Sequence, residues 1–252
     1  MNLKNQLVIV TGAAQGIGRA IAVKMAEAKA DVVIVDLQEG PNPQETARLV
    51  EAEGRRALIC QADVCNRVEM AGVVDRVLDR FGRIDCLVSN AGICLPAPFW
   101  EITEEQWNRV IDVDLKGHFV CMQAVTRHWM DTGRGGKVIV IGSIHGTRSF
   151  QTFTHYAAAK SGIKGLVRNS ALELAPYGIN VNLVSPGAID TGTHVRAKDI
   201  DQQVLDEIPL RRMGRCQEVA ELVLFLSSNK SDYITGAEIV IDGGLLLYPF
   251  TI

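Results

Sequence analysis

Seven short runs of aliphatic and β-branched residues recur along the chain, and longer stretches separate them. The runs occupy residues 7–10, 32–35, 57–60, 84–88, 138–141, 179–184 and 238–241. Continuous apolar runs of this length are typical of strands that a parallel sheet buries on both faces. Between them, apolar side chains recur at helical spacing, for example at Val73, Val77 and Phe81. The alternation predicts an α/β fold, a doubly wound parallel sheet of about seven strands with helices on both faces.

The length of the chain favours a single domain. Its 252 residues, 47% of them hydrophobic, can fill a large core, and α/β folds of this size commonly form one unit. We therefore expect one domain over residues 1–252. The polar segment 188–212 interrupts the alternation and follows the turn Ser185-Pro186-Gly187. Long excursions at the carboxyl edge of an open α/β sheet often cover a ligand, so we expect this segment to cover the substrate.

Charge and hydropathy argue against several classes of partner. The net charge is −3 and Lys and Arg form no stripe, so we expect no nucleic-acid partner. No apolar stretch approaches the roughly 18 residues of a membrane span, and we expect a soluble, cytoplasmic protein. The six cysteines contain no Cys-x-x-Cys pair and the five histidines lack ligand spacing, so we expect no metal.

A glycine-rich turn follows the first predicted strand and begins a predicted helix. Glycines in this context permit a tight turn, let the backbone approach a pyrophosphate and place that anion at the positive end of a helix. The strand-turn-helix context makes the pattern a specific signal for a dinucleotide-binding, Rossmann-type fold. The residues expected to contact the dinucleotide are Gly12, Gln15, Gly16, Ile17 and Gly18.

Asp36 ends the second predicted strand. A carboxylate there can bind both hydroxyls of an adenosine ribose and would repel a 2′-phosphate. Gln15 and Leu37, near the same pocket, supply no cation to offset that repulsion. The sequence therefore predicts NAD rather than NADP as the cofactor.

Tyr156 and Lys160 lie four residues apart, so a helix would project both from one face. A tyrosine is a poor base at neutral pH, but a nearby ammonium favours the phenolate. Tyr156 is thus a candidate for taking a proton from an alcohol or giving one to a carbonyl.

With these motifs in order, the sequence resembles the short-chain dehydrogenase/reductase family, in its form of about 250 residues, over essentially the whole chain. The motifs are Thr11 to Gly18, Asp63-Val64, Asn90-Ala91-Gly92, Ser143, Tyr156 with Lys160, Pro186-Gly187 and Asp242-Gly243-Gly244.

The resemblance implies roles for individual residues. Ser143 would hydrogen-bond the reacting oxygen, and Lys160 would bind ribose hydroxyls and lower the pKa of Tyr156. Hydride would pass between the substrate carbon and the nicotinamide. The resemblance also implies a homotetramer, with helices around residues 103–129 and 156–175 in one interface and residues 245–252 in another. The further cofactor contacts implied are Asp63, Val64, Asn90, Ala91, Gly92, Tyr156, Lys160, Pro186, Gly187, Ile189 and Thr191.

Asp114 departs from the family pattern, which usually has an asparagine at this position. That asparagine is thought to hold a water that relays protons from the lysine. An ionised carboxylate has no donor and adds a negative charge near Lys160. Asp114 either accepts from the same water and leaves the relay working, or its charge opposes the phenolate and moves the pH optimum upward.

The residues around the predicted base bear on the substrate. His145, His-Tyr at 155–156 and the Pro-Gly-Ala-Ile-x-Thr stretch at 186–191 resemble the glucose and other aldose 1-dehydrogenases of the family. Sugars need directional hydrogen bonds, which His145 above all could provide, with Gln151, His155 and His194 as further candidates.

Other activities stay open. Ile93, Cys94 and nearby aromatic residues could line an apolar pocket, which favours a 3-oxoacyl carrier-protein reductase or a dehydrogenase of bulkier alcohols. A dinucleotide-sensing regulator without catalysis is a third alternative, but such proteins typically lose the tyrosine or the lysine, and this chain has both.

Overall fold

The computed structural model describes residues 1–192 and 202–247. The predicted substrate-covering segment is therefore described at residues 188–192 and 202–212. Residues 193–201, with His194, and residues 248–252 of the predicted interface lie outside the described part.

A parallel seven-stranded sheet forms the centre of the fold, with strand order β3-β2-β1-β4-β5-β6-β9. This confirms the predicted α/β class. The direction of winding reverses between β1 and β4, where an open α/β sheet has its ligand crevice. The strands are Leu7–Thr11 (β1), Asp31–Asp36 (β2), Ala57–Gln61 (β3), Cys86–Ser89 (β4), Gly136–Ile141 (β5), Ile179–Pro186 (β6), Ile189–Asp190 (β7), Gly214–Arg215 (β8) and Glu238–Ile241 (β9).

Helices cover both faces of the sheet. Helices α1, α2 and α8 pack on one face, and α3, α5 and α6 pack on the other. The helices are Gly16–Glu27 (α1), Pro41–Ala52 (α2), Arg67–Phe81 (α3), Glu104–Ile111 (α4), Gly117–Thr132 (α5), Thr154–Leu174 (α6), Gln202–Glu207 (α7) and Cys216–Ser227 (α8). A π-helical turn, Asp112–Lys116, joins α4 to α5.

Alternate residues of the central strands enter two separate cores. In β1, Leu7 and Ile9 belong to the core that contains Trp129, whereas Val8 and Val10 belong to the core under α1 and α8. All four are buried, which is why the strands are continuous apolar runs instead of alternating patterns.

The strands differ from the predicted runs at two places. The fourth strand begins at Cys86, two residues later than predicted, and the carbonyl oxygen of Ile84 accepts a hydrogen bond from the Trp129 indole (2.8 Å). Residues 189–190, within the polar segment 188–212, form β7, which pairs with β8 in a small second sheet. That pairing is only two residues long, too short to leave a periodic pattern.

Candidate active site at the carboxyl edge of the sheet

The glycine-rich turn lies at the carboxyl end of β1, against the end of β4. The Asn90 amide donates hydrogen bonds to the carbonyl oxygens of Thr11 (3.0 Å) and Gly12 (3.2 Å). Gly12 has a φ of +64°, and a Cβ there would lie 2.8 Å from the Cα of Ala91. Only a residue without a side chain fits this contact, so the turn and Asn90-Ala91 form one closely packed unit.

Helix α1 begins in this turn without a side-chain cap. Its N-cap residue is Gln15, and the first helical residues are Gly16, Ile17 and Gly18. Uncapped N–H groups at a helix start attract an anion, so this end can hold a pyrophosphate. Thr191, from the loop after β6, lies across the turn, 3.5 Å from where a Cβ of Gly16 would be. The predicted pyrophosphate and nicotinamide contacts thus lie together.

Asp36 ends β2 beside the same turn. Its two carboxylate oxygens accept hydrogen bonds from the backbone N–H groups of Ala14 (2.9 Å) and Gln38 (3.1 Å). These bonds hold the carboxylate in place and leave lone pairs for other donors, as ribose recognition would require. The neighbouring Leu37 side chain is exposed and carries no charge.

Arg19 is a cation near this pocket that the sequence reasoning missed. Its Nε donates to Thr46 Oγ1 (3.0 Å), and its Nη2 donates to the carbonyl oxygens of Ala14 and Asn42. The guanidinium therefore braces the glycine-rich turn against α2. Its position directly after the glycine-rich turn was readable from the sequence, but its partners were not.

The remaining predicted cofactor contacts surround this turn. Asp63 follows β3 and accepts a hydrogen bond from the N–H of Cys65 (2.9 Å), and the Val64 side chain is buried against Gly117. Pro186 ends β6, Gly187 follows it and Ile189 begins β7. The Gly187 N–H donates a hydrogen bond to the carbonyl oxygen of Ile241 (3.0 Å).

Ser143 follows β5 and begins a tight turn. Its Oγ accepts a hydrogen bond from the N–H of His145 (3.2 Å), and its carbonyl oxygen accepts one from the N–H of Gly146 (3.1 Å). A Cβ on Gly146 would lie 2.7 Å from the carbonyl oxygen of Lys160. The turn therefore packs directly on α6, which carries Tyr156 and Lys160.

Lys160 and Asp114 form an ion pair beside Tyr156. Lys160 Nζ lies 2.9 Å from Asp114 Oδ1, and the two side chains are only 4% and 0% exposed. The same Nζ lies 5.3 Å from the centroid of the Tyr156 ring. Asp114 Oδ2 accepts a hydrogen bond from the N–H of Ile93 (3.1 Å), and a Cβ on Gly92 would lie 2.6 Å from Asp114 Oδ1. The π-helical turn thus carries a carboxylate into the buried centre of the site.

Lys160 and Asp114 shift the pKa of Tyr156 in opposite directions. Burial raises the pKa of Tyr156, the Lys160 ammonium lowers it, and the Asp114 carboxylate raises it again, so the result lies above its ordinary value. Burial lowers the pKa of Lys160, but Asp114 and Tyr156 raise it further than burial lowers it. Lys160 therefore stays an ammonium at neutral pH. Lys160 does lower the pKa of Tyr156, as expected, but burial and Asp114 together raise that pKa by more.

His145 lies against the Tyr156 ring, with 5.2 Å between ring centroids, and also contacts Phe150 and Phe153. Burial and the Lys160 charge lower the pKa of His145 to about 4, so its ring is neutral at physiological pH. A neutral imidazole can donate or accept one hydrogen bond beside the phenol. His155, in contrast, is fully buried.

Sequence reasoning also missed a buried polar pair behind the site. His118 Nδ1 lies 2.7 Å from Ser89 Oγ, and both side chains are buried. Burial and the Lys160 charge hold the pKa of His118 well below its usual range. The two residues are far apart in sequence, and neither belongs to a recognisable motif.

Among residues 1–192 and 202–247, no helix is long and apolar enough to cross a membrane. Within the same residues, no three His, Cys, Asp or Glu side chains come together as metal ligands would.

Comparison with known proteins identifies the family. A family model described as enoyl-(acyl carrier protein) reductase matches residues 12–246. An uncharacterized oxidoreductase of Escherichia coli, YohF, is 37% identical over 243 residues, which are 96% of each chain. The chain belongs to the short-chain dehydrogenase/reductase family. It is accordingly an oxidoreductase that acts on alcohol or keto groups.

Other relatives of this dehydrogenase differ in the substrates that their names state. The 2-dehydro-3-deoxy-D-gluconate 5-dehydrogenase of Dickeya dadantii is 37% identical over 248 residues, 97% of both chains. Glucose 1-dehydrogenase 2 of Bacillus subtilis is 34% identical over 251 residues, 98% of this chain and 97% of that one.

Solved structures of relatives share the fold. Acetoin dehydrogenase YohF from Salmonella typhimurium has a TM-score of 0.89 and 35% identity, over 98% of both chains. Carveol dehydrogenase from Mycobacterium avium, solved with NAD, has a TM-score of 0.91 and 29% identity, over 98% of this chain and 99% of that one. A relative from Agrobacterium tumefaciens, solved with NADP, has a TM-score of 0.90 and 35% identity, over 98% of both chains. Members of the family thus bind a nicotinamide dinucleotide, either NAD or NADP.

Proposed function

We propose that the protein is an NAD-dependent dehydrogenase of small polar alcohols, most specifically of a sugar or polyol oxidised at a carbinol carbon. The observation that carries the proposal is the cluster of Ser143, His145, Tyr156 and Lys160 at the carboxyl edge of the sheet. It brings a phenol, a hydroxyl and a neutral imidazole to one place beside a buried ammonium.

Each of these side chains has a role in the proposed reaction. Tyr156 takes the proton of the substrate hydroxyl, or returns it to a carbonyl oxygen in the reverse direction. The Ser143 hydroxyl hydrogen-bonds the same oxygen and stabilises the charge that develops there. Lys160, held as an ammonium by Asp114, favours the phenolate and binds ribose hydroxyls. NAD, when bound, would supply the hydride transfer through its nicotinamide ring.

The residues fit NAD at three points. Gly12 lets the turn come close to a ligand, the start of α1 offers uncapped N–H groups, and Asp36 keeps acceptor capacity for ribose hydroxyls. Selectivity over NADP is supported by the Asp36 charge next to the uncharged Leu37. Arg19 Nε and Nη2 already donate to hydroxyl and carbonyl groups of the protein, so these donors are not directed at a 2′-phosphate.

The sugar substrate is supported by His145 beside Tyr156 and by relatives whose names state glucose or a dehydro-deoxygluconate as substrate. A second candidate substrate class, a bulkier apolar alcohol or an acyl chain, is favoured by Phe150 and Phe153 around His145. Relatives named carveol dehydrogenase and 3-oxoacyl-[acyl-carrier-protein] reductase support that class.

The test is to offer the purified protein NAD or NADP with aldoses, polyols, hydroxy acids and hydrophobic secondary alcohols, and to follow reduced-nicotinamide absorbance. We expect NAD-linked oxidation of an aldose or polyol. A clear preference for NADP would contradict the role of Asp36. Oxidation of hydrophobic alcohols with no sugar turned over would exclude the sugar substrate. The Tyr156→Phe variant should lose nearly all activity, and full activity in it would refute the mechanism.

The proposal includes a cytoplasmic homotetramer. Its support for an assembly is that α4, α5 and α6 expose the large apolar side chains of Trp107, Phe119, Met130 and Leu172. Light scattering coupled to size exclusion tests it, and a monomer at working concentration would contradict it.

A further inference from the structure

Arg148 joins three parts of the chain that are distant in sequence. Its Nη2 lies 2.7 Å from Glu207 Oε2 at the end of α7, and its Nη1 donates a hydrogen bond to the carbonyl oxygen of Leu245 (3.1 Å). Its guanidinium also lies 5.2 Å from the ring centroid of Phe150. One side chain thus links the turn after β5 to α7 and to the Leu245–Leu247 turn.

Arg148 is itself tied to the turn that begins with Ser143. Its N–H donates a hydrogen bond to the carbonyl oxygen of Ile144 (2.9 Å). Lys164, on α6, donates from its ammonium group to Thr147 Oγ1. The backbone of Arg148 therefore cannot move far unless the Ser143 turn moves with it.

The apolar contacts beneath this link are few. Ile144, Ile208 and Leu245 form a small buried cluster, with Phe150 and Leu205 packed against it. Three buried side chains are a weak anchor compared with the two main cores of the protein. The polar contacts of Arg148 therefore add to what holds this region in place.

The chain that follows α7 lies on the C-terminal turn. The N–H of Leu210 donates a hydrogen bond to the carbonyl oxygen of Gly243 (3.2 Å). Gly243 has a φ of +65°, and a Cβ there would lie 2.8 Å from Ile208 Cγ2, so a side chain would push residues 208–210 away. Residues 202–212 thus dock on two surfaces, the Ser143 turn and the 242–247 turn, and Arg148 contacts both the docked helix and the second surface.

We propose that Arg148 is a positioning residue that keeps residues 202–212 docked against the Ser143 turn and so sets the fraction of the protein able to bind substrate. Arg148 acts through Glu207 and Leu245 and need not touch the substrate. Its effect on docking stands on the contacts alone, whereas its effect on KM also rests on the proposed function. When only part of the protein is competent to bind, the apparent affinity falls by that fraction.

Amide hydrogen exchange of the full chain measures docking without reference to activity. The Leu210 N–H is the reporter, because its hydrogen bond to Gly243 exists only in the docked form. Arg148→Glu removes the hydrogen bond to the Leu245 carbonyl oxygen and sets two like charges together, and we expect Leu210 to exchange about tenfold faster than in the wild type. Arg148→Glu with Glu207→Arg restores opposite charges but not the hydrogen bond to Leu245, so the rate should return part of the way to that of the wild type.

The matched control is Lys24→Glu. Lys24 Nζ lies 2.7 Å from Glu221 Oε1 of α8 and 2.7 Å from Glu27 Oε2 of α1, so it forms partly exposed ion pairs away from the site. This variant should leave both the Leu210 exchange and the KM of the alcohol unchanged. Unchanged Leu210 exchange in Arg148→Glu would overturn the docking role.

Steady-state kinetics with an alcohol that the wild type oxidises tests the consequence for binding. We expect Arg148→Glu to raise KM at least about twofold, with kcat changed less, and the charge-swapped double variant to have a KM between those of Arg148→Glu and the wild type. Faster exchange with an unchanged KM, or a KM in the double variant no lower than in Arg148→Glu, would overturn the positioning role. A wild type that oxidises no alcohol would instead refute the proposed function and leave the exchange result to decide the docking.

Discussion

Replacing Asp114 by asparagine should move the pH dependence of alcohol oxidation toward lower pH. The carboxylate lies beside Lys160 and opposes formation of the Tyr156 phenolate. Asparagine has nearly the same shape, and its amide oxygen can still accept the hydrogen bond from the N–H of Ile93. The substitution therefore removes one negative charge with little change in packing.

The distances set the size of the effect. Lys160 Nζ lies 2.9 Å from Asp114 Oδ1 and 5.3 Å from the Tyr156 ring centroid, so the carboxylate is within about 8 Å of that ring. At an effective dielectric constant of about 20, one charge at about 8 Å changes the free energy of phenolate formation by about 2 kcal/mol, or about 1.5 pKa units. Because the phenol is only half-buried, water and salt screen part of the carboxylate's effect on it. We therefore expect the pKa of Tyr156 to change by about one unit.

The measurement is kcat/KM for alcohol oxidation across pH, which reports the ionisations of the free enzyme. Its ascending limb should move about one unit toward lower pH in Asp114→Asn, with substantial activity retained. Asp112→Asn is the matched control, because Asp112 lies in the same π-helical turn but is exposed and pairs with Lys116 at 3.1 Å. It should leave the profile in place.

Two results would refute this reasoning. An ascending limb that coincides with that of the wild type would mean that Asp114 carries no charge felt by the phenol. Complete loss of activity in a folded Asp114→Asn variant would mean that the carboxylate itself is required. Folding is checked by calorimetry, where weakening the buried pair should cost about 2 kcal/mol, or about 4–8 °C in Tm.

Three further predictions concern other parts of the molecule. Asp36→Ala combined with Leu37→Arg should raise the ratio of kcat/KM for NADP over NAD at least about tenfold, and an unchanged ratio would place selectivity elsewhere. In Gly92→Ala the new Cβ would lie 2.6 Å from a buried carboxylate oxygen, so this variant should lose about 1–3 kcal/mol of stability and most of its activity. The control is Gly165→Ala in α6, where no described atom lies within 4 Å of the new Cβ. It should leave activity intact and not lower Tm. Burial raises the pKa of Asp31, but hydrogen bonds from the backbone N–H and the guanidinium of Arg56, with the charges of Arg55 and Arg56, lower it below its ordinary value. Its stabilisation is therefore present above about pH 4 and is lost on acidification. Asp31→Asn should therefore lower Tm at pH 7 and weaken its decline toward pH 3, and a parallel decline in both proteins would contradict this.

The fold was largely predictable because its information is local. Each central strand is buried on both faces, so residues such as Val32 to Val35 form unbroken apolar runs that few other structures require. The pairing of β7 with β8 was not predictable, because it joins Ile189 to Gly214, and only the fold brings these residues together.

The candidate site, like the fold, has features that short motifs predict and features that depend on distant residues. The Tyr156–Lys160 spacing and the glycine-rich turn are short motifs, and the sequence predicts them together with the chemistry they favour. The Arg148 contacts with Glu207 and Leu245 and the Ser89–His118 pair depend on residues that only the fold brings together. The sequence marked Asp114 as unusual, but it could not predict that the carboxylate would be fully buried against Lys160.

The proton affinity of the proposed base therefore depends on three opposing influences, and the helical spacing reveals only one of them. Burial disfavours the phenolate of Tyr156, Lys160 favours it, and Asp114 both keeps Lys160 charged and opposes the phenolate. The same carboxylate thus secures the cation that the mechanism needs and reduces that cation's effect. An asparagine at position 114 would still accept a hydrogen bond but would support the ammonium less and oppose the phenolate less. An aspartate there should give a base that works best at higher pH than an asparagine would, which makes the ascending limb of the pH profile the property most directly governed by this position.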